Sequence, residues 1–157
     1  MKSELQQTLI KQYPHFFQAE GRKIYTGEKP LKEELDELLN QEEIVLPIQF
    51  GFECGDGWYM LLEQLLHSIE WHLDPEHSFP RKERIPLHIQ QIKEKFGGLR
   101  FYYSGGDNFV AGMVSFAESL SYHICERCGS TQNVTQTEGW IETICENCKK
   151  NENKGLN

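Results

Sequence analysis

IPLHIQQIKEKFGGLRFYYSG, residues 85–105, holds two apolar runs on either side of a glycine pair. Ile85, Leu87 and Ile89 alternate with polar neighbours, and Leu99, Phe101 and Tyr103 do so again, which is the two-residue period of a half-buried strand. Gly97-Gly98 between the runs suits a tight hairpin, because both central positions of such a turn take positive φ. An antiparallel β element is therefore expected here.

The segments on both sides read as helices. Downstream, Ser104-Gly105-Gly106-Asp107 turns the chain into a helix over 108–121, with Asp107 as its cap and Val110, Met113, Val114, Ala117 and Leu120 as its apolar stripe. Upstream, the glycine-rich passage GFECGDGWY, residues 51–59, leads into a helix over 57–73 with Asp56 as N-cap. Trp58, Leu61, Leu62, Leu65, Ile69 and Leu73 follow the helical period there and should organise the core. Residues 3–13 form a shorter helical pattern through Leu5, Leu9 and Ile10, with Ser3 as its cap, ending before Pro14. Leu31, Leu35, Leu38 and Leu39 give another over 31–40, and the apolar stretch 44–52, broken by Pro47, reads as a short or edge strand. The expected fold class is α+β, with helices packed on a small antiparallel β element.

Cys125, Cys128, Cys145 and Cys148 fall as C-x2-C-x16-C-x2-C, the spacing of a structural zinc site of the zinc-ribbon kind. Each C-x-x-C pair can turn two sulfurs towards one ion, and the sixteen residues between the pairs suffice for a returning hairpin. Four thiolates close the coordination shell, so one structural Zn2+ would serve folding and leave no open position for water or substrate. Val134, Trp140, Ile141 and Ile144 are available to pack beside it. The alternative is two disulfides, but a C-x-x-C disulfide closes a very small ring and stabilises little, whereas zinc supplies roughly 10–16 kcal/mol to a short segment. Cys54 stands apart, either as a small buried side chain or as a reactive thiol before a helix start. The expected division is 1–47 as an N-terminal helical segment, 48–121 as the α+β core, 122–150 as the zinc ribbon and 151–157 as a disordered tail.

Charge narrows the partners. The chain carries a net charge of −8, which argues against general adhesion to nucleic acid or anionic membranes. Residues 80–103 nevertheless form a basic island of net +4, made by Arg81, Lys82, Arg84, Lys93, Lys95 and Arg100. These cations either face the acidic first half and solvent, or meet an acidic partner. No apolar stretch approaches the roughly 18 residues that span a bilayer, and the opening Met1-Lys2-Ser3-Glu4 leads into glutamines without the apolar run of a leader. A cytoplasmic setting is expected, where thiols stay available to zinc.

Several weaker signals have plain structural readings. The glycine-rich passage at 51–57 is neither a Walker loop nor a dinucleotide fingerprint, and Asp56 would repel a phosphate. His67, His72 and His77 recur every five residues, which on a helix rotates each by about 140° from the last, so they cannot share a face. Glu63 and His67 at i,i+4 read as a surface pair.

Taken together and in order, GFECGDGWY (51–59), KEKFGGLRFYYSGGD (93–107), CERCG (125–129) and GWIETICENC (139–148) resemble a family of small proteins encoded by phages, prophages and bacteria. The likeness covers roughly 48–148, and Tyr13-Pro14-His15-Phe16 echoes the N-terminal part. It implies a phage or mobile-element setting and a cysteine-rich end, and carries over no activity.

Three classes of function remain. A non-catalytic protein that binds a host or phage protein fits the acidity and the absence of an assembled nucleophile and base, with Lys93, Lys95, Arg100 and Trp140 as its candidate surface. Phe96, Tyr102 and Phe109 join that surface if exposed. A nucleic-acid binder would use Arg100 with Phe96 and Tyr102 for stacking, although the ribbon's own charge disfavours phosphate. An enzyme would have to gather Glu53, Cys54, Asp56, His67, Arg100 and Asp107 into one cleft.

Overall fold

A computed structural model describes residues 1–17, 51–77 and 85–154, the side chains of 152–154 excepted. The pattern expected over 31–40, most of the 44–52 stretch, and Arg81, Lys82 and Arg84 lie outside the described residues. Helix α1 (Ser3–Gln12) and a 3-10 turn (Pro14–Phe17) precede β1 (Phe52–Glu53), a second 3-10 turn (Asp56–Trp58) and helix α2 (Tyr59–Leu73). Strands β2 (Leu87–Lys95) and β3 (Gly98–Gly105), helix α3 (Asn108–Ser121), strands β4 (Val134–Gln136) and β5 (Thr143–Cys145), and helix α4 (Glu146–Lys154) follow. This is an α+β body with a small cysteine-bearing finger. The chain stays helical through Lys154, beyond the point where a tail was expected to begin.

One apolar cluster joins the first helix to the rest. Leu9 and Ile10 of α1, with Tyr13, Phe16 and Phe17 after it, are buried among Trp58, Leu62, Leu66, Ile69 and Leu73 of the α2 region and Ile89, Ile92, Leu99 and Phe101 of the sheet. All six residues of the expected α2 stripe are buried, as are Val110, Val114 and Ala117 of α3. Outside this core, the His15 ring pairs with Glu70, tying the 3-10 turn to α2.

The sheet departs from the expected pattern in three ways. First, β1 pairs with β2 in parallel, Phe52 opposite Ile92, so the three-stranded sheet is mixed and ordered β1-β2-β3. Second, the register shifts between Ile89 and Gln91, a β-bulge that leaves Gln90 as the extra residue. The bulge explains why the apolar positions run 87, 89, 92: Ile89 opposite Tyr103 and Ile92 opposite Phe101 both face the core. Third, the hairpin turns at Phe96-Gly97, with φ of 55° and 75°, because Lys95 pairs with Gly98. Gly98 is a strand residue. It is glycine for another reason, since a Cβ there would overlap the ring of Tyr122.

Helix caps divide the same way. Asp107 caps α3, accepting from the N–H groups of Phe109 and Val110 at 3.0 and 3.1 Å. Asp56 does not cap α2, whose N-cap position is Trp58. Its carboxylate instead accepts the Lys2 amide at 2.7 Å and lies 3.3 Å from the Lys2 Nζ, and the Lys2 N–H bond holds its pKa below the usual carboxylate range. Ser3 does not cap α1 either, since Lys2 occupies that position without a side-chain bond.

Helix α3 also seals the outer edge of β3. The Leu99 amide donates to Ser121 Oγ and the Phe101 amide to Glu118 Oε1, both at 2.9 Å. An open edge would offer those donors to another strand. Ser121 is fully buried and donates onward to the Glu118 carbonyl at 2.6 Å. Ser121→Ala should therefore strand a buried N–H and destabilise the chain by about 1–3 kcal/mol in urea unfolding. Ser121→Thr, which keeps the hydroxyl, should retain more of that stability in the same measurement.

Candidate metal centre

Both cysteine pairs are shaped by local backbone before any ion is considered. In the first, Gly129 N–H returns to the Cys125 carbonyl at 2.8 Å and Cys125 N–H to the Ser130 carbonyl at 2.8 Å, closing a knuckle. Gly129 takes a φ of 78°, which glycine adopts without steric penalty. The second pair is presented differently: Cys145 ends β5, and Cys148 lies in the first turn of α4. Between them β4 and β5 pair antiparallel, with Val134 opposite Cys145. A knuckle, a hairpin and a helix start thus converge, in place of two equivalent knuckles.

The four Sγ atoms lie within 4.8 Å of one another, and Cys128 Sγ stands 3.7 Å from Cys145 Sγ. Four thiolates bound tetrahedrally at about 2.3 Å would stand about 3.8 Å apart, so the arrangement fits a single ion. No disulfide joins any of the five cysteines. Cys145 is poised to ionise: the Cys148 amide donating to its sulfur brings its pKa down to about 7. Burial pushes Cys148 the other way, far above an ordinary thiol. Without a cation the cluster therefore resists carrying four charges, and a metal would supply what is missing. Among the described residues this is the one grouping of His, Cys, Asp and Glu able to hold a metal ion.

The finger is seated on the body through backbone. Gly57 N–H donates to the Glu126 carbonyl at 2.7 Å, and Gly55 N–H donates to the Glu126 carboxylate at 2.7 Å. Trp58, wholly buried, sends its indole N–H to the Ile124 carbonyl at 3.0 Å. On the other side, buried Thr143 donates from Oγ1 to the Gly97 carbonyl at 2.6 Å, and its own carbonyl accepts the Glu126 amide at 2.9 Å. A Cβ on Gly55 would overlap the Glu126 carbonyl oxygen, and one on Gly57 the Cys125 carbonyl oxygen. The glycines of GFECGDGWY thus have a use quite apart from phosphate: they let the knuckle approach. Glu126 and Thr143 gave no sign of this in the sequence, because their partners lie 71 and 46 residues away.

The candidate catalytic groups are dispersed to separate tasks. Cys54 is a small buried side chain of the core, and burial raises its thiol to about 12, away from the thiolate that a nucleophile needs. Glu53 accepts from Gln91 Nε2 at 2.8 Å on the sheet. Asp107, besides capping α3, stands 2.9 Å from His72 Nε2. His77 stacks on Trp71, while His67 is exposed on α2, and the neighbouring Glu63 accepts from Gln64 Nε2. Only His67 and His72 lie on α2, and His77 stands in the turn beyond its end.

The candidate partner surface is partly assembled. Lys93 and Arg100 are opposite one another on the outer sheet face, and Lys95 opens the turn. Arg100 is already engaged, donating to the Tyr122 hydroxyl at 3.1 Å and the Leu99 carbonyl at 2.7 Å. Lys93 Nζ and Lys95 Nζ each lie 5.4 Å from a ring centroid, that of Tyr102 and Phe96 respectively. Phe96 is 66% exposed and Trp140 83%, so Trp140 does not pack beside the metal cluster as expected, whereas Ile144 and Val134 do.

Two glycine substitutions separate steric need from mere tolerance. Gly57→Ala should cost several kcal/mol in thermal or urea unfolding, of the order seen for overpacked cores. Gly112→Ala in α3, where a Cβ meets nothing within 4 Å, should stabilise by about 0.5–1 kcal/mol.

No family model matches the chain, and comparison with curated proteins and with solved structures likewise finds no match.

Proposed function

We propose that the chain is a non-catalytic, zinc-stabilised protein that docks on an acidic surface of a host or phage protein. The observation that carries this reading is the pair of exposed aromatics at the hairpin tip and finger, Phe96 and Trp140, with Lys95 against the Phe96 ring and Lys93 on the same strand, on a chain of net charge −8. Large exposed aromatics next to cations favour an interface over bare solvent. The scattering of Cys54, Asp56, His67 and Asp107 favours binding over catalysis.

Four soft thiolate donors favour zinc over hard cations, and a closed four-sulfur shell favours a folding role. The phage or mobile-element setting rests on the sequence resemblance alone, and a reducing cytoplasm is the compartment in which these thiols would keep their metal.

A second reading, single-stranded nucleic acid, is favoured by the two cation–ring pairs, Lys93 with Tyr102 and Lys95 with Phe96. Binding that falls steeply with salt and does not depend on a protein partner would select it.

Protein purified without added metal should contain one equivalent of zinc by elemental analysis. Less than half an equivalent, iron in its place, or paired disulfides would refute the zinc assignment. Pull-down from host or infected extract, with the retained protein then titrated directly, tests the partner. Lys93→Ala, Lys95→Ala should weaken that complex by about 2–5 kcal/mol if the cations are buried in it, with little change in melting temperature. Unchanged affinity in the folded double variant would refute this surface.

A further inference from the structure

We infer that Phe96 and Trp140 are the anchors of the recognition surface, that they take an acidic partner segment carrying an apolar side chain, and that they stand in place only while the four cysteines hold their metal. This rests on the partner-binding reading above and adds to it the anchor residues and a condition for binding.

Phe96 sits where an aromatic residue is disfavoured. Its φ of 55° belongs to the left-handed region, which glycine and asparagine enter far more readily. Something must hold it there, and part of that hold comes from the finger. Thr143 Oγ1 donates to the Gly97 carbonyl at 2.6 Å, and Gln136 Nε2 reaches the Phe96 carbonyl at 3.4 Å. Gly97 has no room for a side chain, since a Cβ would come within 3.0 Å of Ile141 Cγ2 and of Thr143 Oγ1. Gln136, Ile141 and Thr143 all belong to the β4–β5 hairpin of the finger or the loop joining its strands.

That hairpin depends in turn on the cysteines. Its buried core consists of Cys125, Ile144 and Cys145, with Val134 and Cys148 packed against it. So small a cluster cannot hold a hairpin alone, and the metal supplies the difference. Thr143 lies two residues before Cys145, and its carbonyl accepts the amide of Glu126, the neighbour of Cys125. Both cysteine pairs therefore position the hydroxyl that grips the turn. Trp140 lies in the β4–β5 loop beside Ile141, where its carbonyl accepts the Thr137 hydroxyl at 2.6 Å.

Charge selects the occupant. Lys95 flanks Phe96 and Lys93 stands two residues back along the same strand. Of the nearby acids, Glu94 accepts the Gly97 amide and Glu142 is paired with Arg127, while Glu138 is exposed two residues before Trp140. An acidic segment with an apolar residue between its carboxylates would satisfy the two lysines and cover the rings.

A random peptide library displayed on phage and panned against the full, metal-loaded chain tests this. Enriched sequences should be rich in Asp and Glu around one or two apolar residues. Their affinity should fall at least about tenfold for Phe96→Ala and for Trp140→Ala. Chelation should abolish binding and raise amide exchange across 96–99. Thr143→Val should reproduce part of that loss with the metal still bound, while Thr143→Ser should restore it. Peptides that bind the Phe96 and Trp140 variants as tightly as the parent, or the absence of enrichment over a Lys93→Ala, Lys95→Ala control, would overturn the anchors. Binding and exchange at 96–99 that persist after chelation would overturn the metal condition alone and leave the partner reading standing. Loss of binding in the lysine variant with no loss in the aromatic ones would likewise spare that reading and sink this one. Tighter binding of a twelve-residue oligothymidylate than of any acidic peptide would replace the acidic partner with nucleic acid.

Discussion

The close approach of two stretches of backbone organises this molecule. The Gly55–Gly57 segment and the Cys125–Gly129 knuckle come near enough that a single methyl group on either of Gly55 or Gly57 would collide with a carbonyl oxygen. At that junction the Gly57 amide and Trp58 indole bond to carbonyls 66 or more residues further along the chain. The body thus ends in donors aimed at the finger, and the finger returns a hydroxyl, from Thr143, to the tip of the body's hairpin. Residues of 51–59 and 125–129 make this contact, and Thr143 and Gly97, from 139–148 and 93–107, make the second one between finger and hairpin.

Much of the architecture was legible because it follows from local periodicity. The α2 and α3 stripes, the cap at Asp107, the β2–β3 alternation and the ligand spacing all rest on residues within a few turns of each other. The misplaced features have a common cause in contacts distant along the chain. Gly97-Gly98 looked like the turn because two glycines suit one, but Gly98 is small to admit the Tyr122 ring, and Phe96 carries the left-handed backbone instead. Asp56 looked like a cap, yet its acceptor is used by Lys2, 54 residues away. The parallel pairing of β1 could not be read from a two-residue strand.

The candidate site divides along the same line. Its ligands were readable from spacing, whereas its seating was not, since Glu126 and Thr143 are ordinary residues until their partners are known. Arg100 shows the limit of counting charges. It lies in the basic island, but its guanidinium is committed to Tyr122 and Leu99, and the Tyr122 hydrogen bond raises its pKa further. It acts as a brace between α3's end and the sheet, leaving Lys93 and Lys95 as the more available cations.

The bulge at Gln90 has a consequence for how this chain can change over generations. It resets the alternation so that Ile92 turns inward with Phe101 while Lys93 and Arg100 turn outward. Loss of one codon at Gln90 or Gln91 would remove the extra residue and leave a regular ladder, with Ile89 still opposite Tyr103 and Ile92 still opposite Phe101 on the core side. Loss of both glutamines would instead bring Ile92 next to Ile89 and slip that half of the strand by one place, exchanging its oily side for its charged one. The bulge is therefore a spare place in the strand, one that the chain can lose without the sheet's two faces changing sides.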